Sequence, residues 1–398
     1  MPLTILYTAW IVIQIIFALL LVFPVISYLI YLLVKRKVVI KTEDSKPEPG
    51  YGIIVTAYKD ASNIPNVVQS LLKLDYSNFV IYVVADACPR LEKDFNDERV
   101  VILYPDPVLE NQIKSHFFAI ENFKRDHERL TIIDSDNLVE PGYLKELNKS
   151  FDLGYEAVQG VRTAKNFDTA YACLDAANEL YYLFYDRKIL FSIGSSAMLS
   201  GSGMAFTVKL YKECLGHLLE IAGAGFDKLL QKEILWRKKR IAFAEGAIVL
   251  DEKTSSADQL VKQRARWNNT WFRYFKFGLG ILLKGIVNFN LNQTLAGFIL
   301  VRPPLFILLI ICGMIMLANI FISLAAAIIW AGLILLFGIG FFTALLNSKT
   351  DKRIYQALIH IPKFVFLQVL SLLKVRRANQ HSVATIHHYN KEIEEIKE

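Results

Sequence analysis

The order of apolar and polar positions divides the chain into membrane-type ends around an alternating centre. Residues 1–34 are almost wholly apolar and run into Lys35-Arg36-Lys37. That run exceeds the ~20 residues a helix needs to cross a bilayer. It lacks the short apolar core and small-residue cleavage site of a signal peptide, so it predicts an uncleaved anchor over 1–37. The basic triplet predicts a cytoplasmic face for the chain beyond it. Residues 38–50 are polar, carry Pro47 and Pro49, and read as a linker.

From residue 51 the pattern switches. Residues 51–58 (YGIIVTAY) and 79–85 (FVIYVVA) are continuous apolar runs of strand length, joined by 100–103 and 130–133. Helical patterns lie between them at 63–74, with Asn63 as a candidate N-cap and Pro65 in the first turn, and at 112–125. Further strands are expected at 157–161, 205–208 and 241–249, with a long helix over 170–192. Short, fully apolar strands separated by helices predict an α/β domain whose mainly parallel sheet is covered on both faces. Such sheets bind ligands at the carboxyl ends of their strands. Asp86, Asp134 and Asp136 fall at those ends.

Residues 271–300 mix aromatics, glycines and lysines, as an amphipathic segment lying in the membrane interface would. Residues 306–324 and 325–346 predict an antiparallel spanning hairpin within 301–348. The apolar run 354–373 is interrupted by Gln356, His360, Pro362, Lys363 and Gln368, which favours an in-plane helix over a further span. With the hairpin, it returns the tail of 349–398 to the cytoplasmic side. This organisation suits an integral protein of a prokaryotic plasma membrane. No repeat of 20–50 residues is visible.

Composition narrows the class. The net charge is +7, which by itself fits nucleic acid or an anionic surface. The basic residues, however, gather at 35–37, 349–353 and 374–377, beside the membrane-type stretches. Membrane lipids are therefore the expected partner, and no nucleic-acid signature accompanies the charge. Cys88, Cys173, Cys214 and Cys312 have no metal or disulfide spacing, as expected in a reducing compartment. His387-His388 forms no metal motif with the other five histidines.

The candidate chemistry is acidic at one place and cationic-aromatic at another. Asp134 and Asp136 flank Ser135 after an apolar strand, and on extended backbone their side chains share a face. Paired hard carboxylates suit Mg²⁺ or Mn²⁺, which take one or two protein carboxylates plus phosphate oxygens. A surface loop is the alternative. Asp86 suits a nucleotide base or ribose contact, or an ordinary turn. Lys114 suits a phosphate contact and a solvated helix lysine equally. Gln263, Arg266 and Trp267 lie at i, i+3 and i+4, one face of a helix. Arg forks onto diphosphate oxygens, Trp stacks on a sugar ring and Gln bonds hydroxyls. Arg264 points elsewhere and reads as structural. Transfer of a sugar with inversion needs one general base. Asp227, in Gly225-Phe226-Asp227, is the candidate, with helix capping as the compatible alternative. Ser200-Gly201-Ser202-Gly203 is a flexible turn without the spacing of a phosphate loop.

These residues resemble family 2 of the inverting glycosyltransferases, the group containing cellulose, chitin and hyaluronan synthases. The resemblance covers roughly 50–270 and rests on Val55-Thr56-Ala57-Tyr58, Val84-Ala85-Asp86, Asp134-Ser135-Asp136, Leu199 to Gly203, Asp227 and Gln263-x-x-Arg266-Trp267. Thr385-Ile386-His387 is similar to the Thr-x-His ending of membrane members. It implies a GT-A fold, a nucleotide-diphosphate sugar donor (most often a UDP-sugar) and a divalent metal. It also implies Asp86 on the uracil, Asp136 on the metal, Asp227 as base, and Thr56, Ala57 and Tyr58 at the donor. The chain departs from the family at Phe226, where a Glu is usual, and in a small membrane half of about three spans. A processive polysaccharide synthase and a single transfer to a lipid-linked or glycan acceptor are both open, as is a homo-oligomer. From another class, a non-catalytic membrane scaffold or partner subunit that kept the fold is the alternative. A transporter fits less well, because 306–346 holds no intramembrane ionisable pair.

Overall fold

The computed structural model describes residues 2–34, 48–91, 95–221 and 225–378. The basic triplet 35–37, most of the expected linker, Gly223-Ala224 and the Thr385-Ile386-His387 ending lie outside them. The first helix, α1 (Pro2–Val34), precedes β1 (Tyr51–Tyr58), α2 (Ile64–Leu72), β2 (Phe79–Asp86), β3 (Val100–Leu103), α3 (Gln112–Glu121) and β4 (Arg129–Asp134). Then come β5 (Leu138–Val139), α4 (Tyr143–Asp152), β6 (Ala157–Ala164) and α5 (Ala170–Tyr182). A π-helical stretch (Leu183–Ile189), α6 (Leu190–Ser192), β7 (Met204–Thr207), α7 (Val208–Leu215), α8 (Phe226–Trp236) and β8 (Ile241–Asp251) complete the sheet region. The remaining helices are α9 (Ala257–Val287), α10 (Leu291–Val301), α11 (Leu305–Ile322), α12 (Leu324–Leu346), α13 (Lys352–Ala357) and α14 (Ile361–Leu372).

One sheet runs in the order β3-β2-β1-β4-β7-β6-β8-β5. Strands β1 to β4 pair in parallel, β7 is antiparallel to both neighbours, β6 and β8 are parallel, and β5 closes the far edge antiparallel to β8. Side chains of β1 alternate between two cores: Ile53 and Val55 pack toward α2 and α4, Ile54 toward α3 and α7. Burial on both faces is why these strands are apolar throughout.

Two helices differ from the sequence pattern for local reasons. Asn63 precedes α2 but makes no side-chain cap bond, whereas Asn111 accepts from the N–H groups of Ile113 and Lys114 to start α3. The long helix expected over 170–192 loosens into the π stretch, which turns Asp186 and Arg187 inward.

Four helical stretches among the described residues are long and apolar enough to cross a membrane: Thr4–Val34, Leu305–Ile322, Leu324–Leu346 and Lys352–Leu372. The fourth is broken by a 3₁₀ turn, Leu358–His360, before Pro362 restarts the helix as α14. Helices α1, α11 and α12 share a polar clasp, in which Gln14 Oε1 accepts from Asn319 Nδ2 and Trp330 Nε1, each at 2.7 Å. Tyr185 of the π stretch donates to Gly340 O of α12 at 2.7 Å, tying the sheet domain to this bundle.

The segment expected to begin at 271 is the continuation of α9, which runs unbroken from the sheet domain to Val287 and folds back along α10. Glycines make the close approach. A Cβ on Gly285 would meet the backbone of Thr294, and one on Gly297 the backbone of Leu282.

Candidate active site

Strand β4 delivers Asp134 to the edge of the cleft, and register sets Thr56 beside it and Tyr58 beside Asp86. The chain does not stay extended through Asp136. Ser135 and Asp136 form a turn in which Asn137 N–H donates to Asp134 O at 3.0 Å. The reversal lets β5 run antiparallel to β8, so the expected alternation across Ser135 is replaced by a turn. Ser202, from the Ser-Gly-Ser-Gly segment, accepts from Asp134 N–H at 3.1 Å and donates to Asn137 Oδ1 at 2.5 Å. Asn137 Nδ2 donates to Asp136 Oδ1 and to Asp251 Oδ1, and Lys165 Nζ to Asp136 O. Neither acidic residue sits on a loose loop.

Helices α8 and α9 bring the second group. Gly225 starts α8 at φ +101°, and a Cβ there would press within 2.7 Å of both Thr270 and Tyr274. Only glycine meets both demands, and the contact seats Asp227, in the first turn of α8, against α9. Lys228 Nζ lies 3.4 Å from Asp227 Oδ2. Phe226 is buried with its ring edge-on to His116, centroids 4.9 Å apart, so its departure from the usual Glu has a packing reason. On α9, Arg264 pairs with Asp175 and lays its guanidinium over Trp267, 4.3 Å from the ring centroid. The ion pair fits a structural role, but Arg264 does not point elsewhere as expected, since it lines the same cavity as Arg266 and Trp267. Trp267 remains 40% exposed.

Asp134, Asp227, Arg266 and Trp267 line one cavity of about 440 Å³, within the range of small-ligand sites. Burial lowers the pKa of Arg266, and the opposing influence is Asp134, so guanidinium and carboxylate act on one another. Residues that sequence reasoning missed build the rest of the wall. Glu179 accepts from Arg187 Nη1 at 2.6 Å and from Arg162 Nη2 at 3.3 Å. Burial pushes the Glu179 carboxyl upward, but Arg187 and Arg162 outweigh it and hold the group well below the carboxylate range. Arg162 also donates to Ser200 O at 2.9 Å and lies 3.4 Å from Asp251. Arg302 Nη2 donates to Asp186 Oδ2 at 2.5 Å. No motif flags these pairs; the one available signal was charge inside otherwise apolar helical patterns.

The other expected residues sit elsewhere. Asp86 is 2% exposed, and its two carboxylate oxygens accept from the N–H groups of Leu109 and Glu110 at 2.9 and 2.8 Å. Tyr58 donates to Glu110 Oε1 at 3.0 Å. Together they anchor the segment after β3 rather than presenting an open base contact. Lys114 pairs with Glu220 at 2.9 Å, and Gln263 Oε1 accepts from Thr254 at 3.2 Å. Neither residue lines the cavity, nor do Thr56, Ala57, Ser135 and Asp136. Asp136 is buried in the turn that follows Asp134.

A family model described as "Glycosyltransferase like family 2" matches residues 48–270, more than half of the chain. The chain belongs to that family. The glycosyltransferase fold recurs in the mannosyltransferase PcManGT from Pyrobaculum calidifontis, solved in complex with GDP-Man and Mn²⁺. It has a TM-score of 0.52 at 15% identity and covers 90% of this chain and 98% of that one. S. aureus TarS 1–349 in complex with UDP-GlcNAc is similar at 14% identity, TM-score 0.43, over 83% of this chain and 90% of its own. No curated protein matches the sequence.

The turn also permits a test of metal fit for this family 2 domain. Among the described residues, no three His, Cys, Asp or Glu side chains gather as a self-sufficient metal cage. Asp134 reaches the cavity wall, and Asp136 is buried in the same pinned turn. One or two carboxylates completed by phosphate oxygens are the usual arrangement for Mg²⁺, and these two residues would fit that donor set.

Proposed function

We propose that this glycosyltransferase moves a sugar, with inversion, from a nucleotide-diphosphate donor to a membrane-associated glycan or lipid acceptor. The supporting observation is the meeting of Asp134, Asp227, Arg266 and Trp267 on one cavity. In this reading Asp134 and Asp136 would hold Mg²⁺ or Mn²⁺, which would neutralise charge on the departing diphosphate. Arg266 binds the diphosphate oxygens and Trp267 stacks on a sugar ring. Asp227 takes the proton of the acceptor hydroxyl as its oxygen attacks the anomeric carbon and the bond to the diphosphate breaks. Asp86 and Tyr58 act through the segment they anchor, which closes the base end of the donor site. Gln263 braces α9 through Thr254.

The cavity also reaches Pro303, Pro304, Leu305 and Phe306 at the start of the candidate span α11. That supports an acceptor reached from the membrane; the cytoplasmic placement of the sheet domain rests instead on the basic residues beside the apolar stretches. The test is a screen of the full chain in detergent with UDP- and GDP-sugars and Mn²⁺, following release of the nucleoside diphosphate. Release from one donor class, lost on adding chelator, supports the reading. No release from any donor overturns it.

A further inference from the structure

Ser200-Gly201-Ser202-Gly203 reads in the sequence as a flexible turn and takes no part in the proposed chemistry, yet the structure holds it from several sides. Gly203 N–H donates to Ile132 O of β4 at 3.0 Å, and Gly203 O accepts from Gly160 N–H of β6 at 2.8 Å. Gln159 of β6, fully buried, accepts from Ser200 N–H at 3.0 Å and donates to Ser202 O at 3.2 Å. Arg162 adds its bond to Ser200 O. The entry to the segment is tied to α8, the helix whose first turn carries Asp227. There Leu199 N–H donates to Gln231 Oε1 at 3.1 Å, and Lys228 Nζ donates to Leu199 O at 3.4 Å. Gly201 and Gly203, at φ +90° and +65°, supply the two left-handed residues that this path requires.

Ser202 is where this frame meets the acidic turn. The residue is fully buried, and its hydroxyl accepts from Asp134 N–H while donating to Asn137 Oδ1. Asn137 in turn donates to the carboxylates of Asp136 and Asp251. Ionised carboxylates only accept, so the Asn137 amide has to present Nδ2 to them and Oδ1 to the serine. The serine then points its single proton at Asn137 and a lone pair at Asp134 N–H. One hydroxyl thus sets both ends of the turn: the backbone of Asp134 directly, and the side chain of Asp136 through Asn137.

We infer that Ser202 is a positioning residue for the Asp134–Asp136 turn, holding the two carboxylates ready for a divalent cation. The inference rests on the metal-dependent reading of this site and goes beyond it in naming what orders the turn. Removing a group that orients metal ligands typically costs 10–100-fold in metal affinity or activity.

The experiment uses the full chain in detergent and compares Ser202→Ala and Asn137→Ala with Thr131→Val. Thr131 is a fully buried hydroxyl on the same strand, but it bonds to Tyr143 and Met204 O rather than to the turn. Mn²⁺ binding is followed by electron paramagnetic resonance with UDP or GDP present, and nucleoside-diphosphate release is followed against Mn²⁺ concentration. Amide hydrogen exchange over 134–137 reports the turn without metal or turnover. Ser202→Ala is expected to weaken Mn²⁺ about tenfold, to raise the Mn²⁺ needed for half-maximal release by a similar factor, and to speed exchange over 134–137. Excess Mn²⁺ should restore its rate, because the bound cation then orders the turn in place of the hydroxyl. Asn137→Ala should shift in the same direction. Thr131→Val should lower the melting temperature and leave the Mn²⁺ midpoint in place. An unchanged Mn²⁺ midpoint in Ser202→Ala, or an equal shift in Thr131→Val, would overturn the inference. No Mn²⁺ binding and no release in the parent would count against the enzymatic reading, whereas unaltered exchange over 134–137 in Ser202→Ala would overturn the positioning role by itself.

Discussion

Arg264 and Trp267 are stacked one helical turn apart on α9, with the guanidinium carbon 4.3 Å from the centre of the indole. The stack is held from below, because Arg264 is buried and paired with Asp175 of α5. The tryptophan of the Gln-x-x-Arg-Trp motif is thereby fixed on one face by a neighbour that the motif does not name.

This arrangement separates Arg264→Lys from Arg264→Ala. Lysine keeps the charge beside Asp175 but not the planar stack, so a loss of ~1–2 kcal/mol of cation–π contact, roughly tenfold in transfer, is expected with little change in melting temperature. Alanine leaves Asp175 buried and unpaired, and a loss of ~3–5 kcal/mol in stability is expected. Thermal melts alongside rate measurements distinguish the two.

Gly225→Ala is expected to cost ~1–3 kcal/mol for the positive φ alone, before the new methyl meets Thr270 and Tyr274. Since Gly225 seats the first turn of α8, transfer should fall further than stability. Denaturant midpoints and initial rates on the same preparation check this.

The acid response follows from two buried histidines of the sheet domain. Burial pushes the imidazole of His116 down to about 3 and that of His127 down to about 4, from 6.5. Below pH 6.5 the unfolded chain takes up protons that the folded chain refuses, so stability falls as pH drops and levels off near the folded values. His116, packed against Tyr211 and Phe226, should contribute a slope of up to ~1.4 kcal/mol per pH unit. Urea midpoints at pH 7 and pH 5 are expected to converge in His116→Gln relative to the parent.

The sheet was legible because its central strands are buried on both faces, so Tyr51–Tyr58 and Phe79–Asp86 appear as unbroken apolar runs ending where polar residues are needed. Asp134, Asp227, Arg266 and Trp267 stood out because the proposed chemistry calls for particular side chains, and the fold gathers them on one cavity. The missing parts carry no local signature. The turn at Asp136 depends on β5, a strand of two residues. The π stretch and the Asp186–Arg302 pair depend on residues far apart in the chain. Asp86 looked available because nothing in its neighbourhood announces that Leu109 and Glu110 return to it. The α9–α10 hairpin was hidden by glycines, which lower helical propensity yet are what the close approach requires.

The polar clasp among the candidate spans gives a prediction for the membrane part. Gln14→Leu strands Trp330 Nε1 and leaves Asn319 Nδ2 with Ile315 O alone, since both share the Gln14 oxygen. A loss of ~1–2 kcal/mol is expected from such an interhelical contact, read as a lower melting temperature in detergent with unaltered donor affinity.

The central claim, that Asp227 serves as base in a cavity shared with Asp134 and Arg266, is tested most directly by the transfer rate of Asp227→Asn measured beside its donor affinity. The account predicts a fall of ~10²–10⁴ in transfer, the usual worth of a general base, with donor binding within a few-fold of the parent. Transfer at the parent rate in Asp227→Asn would contradict it.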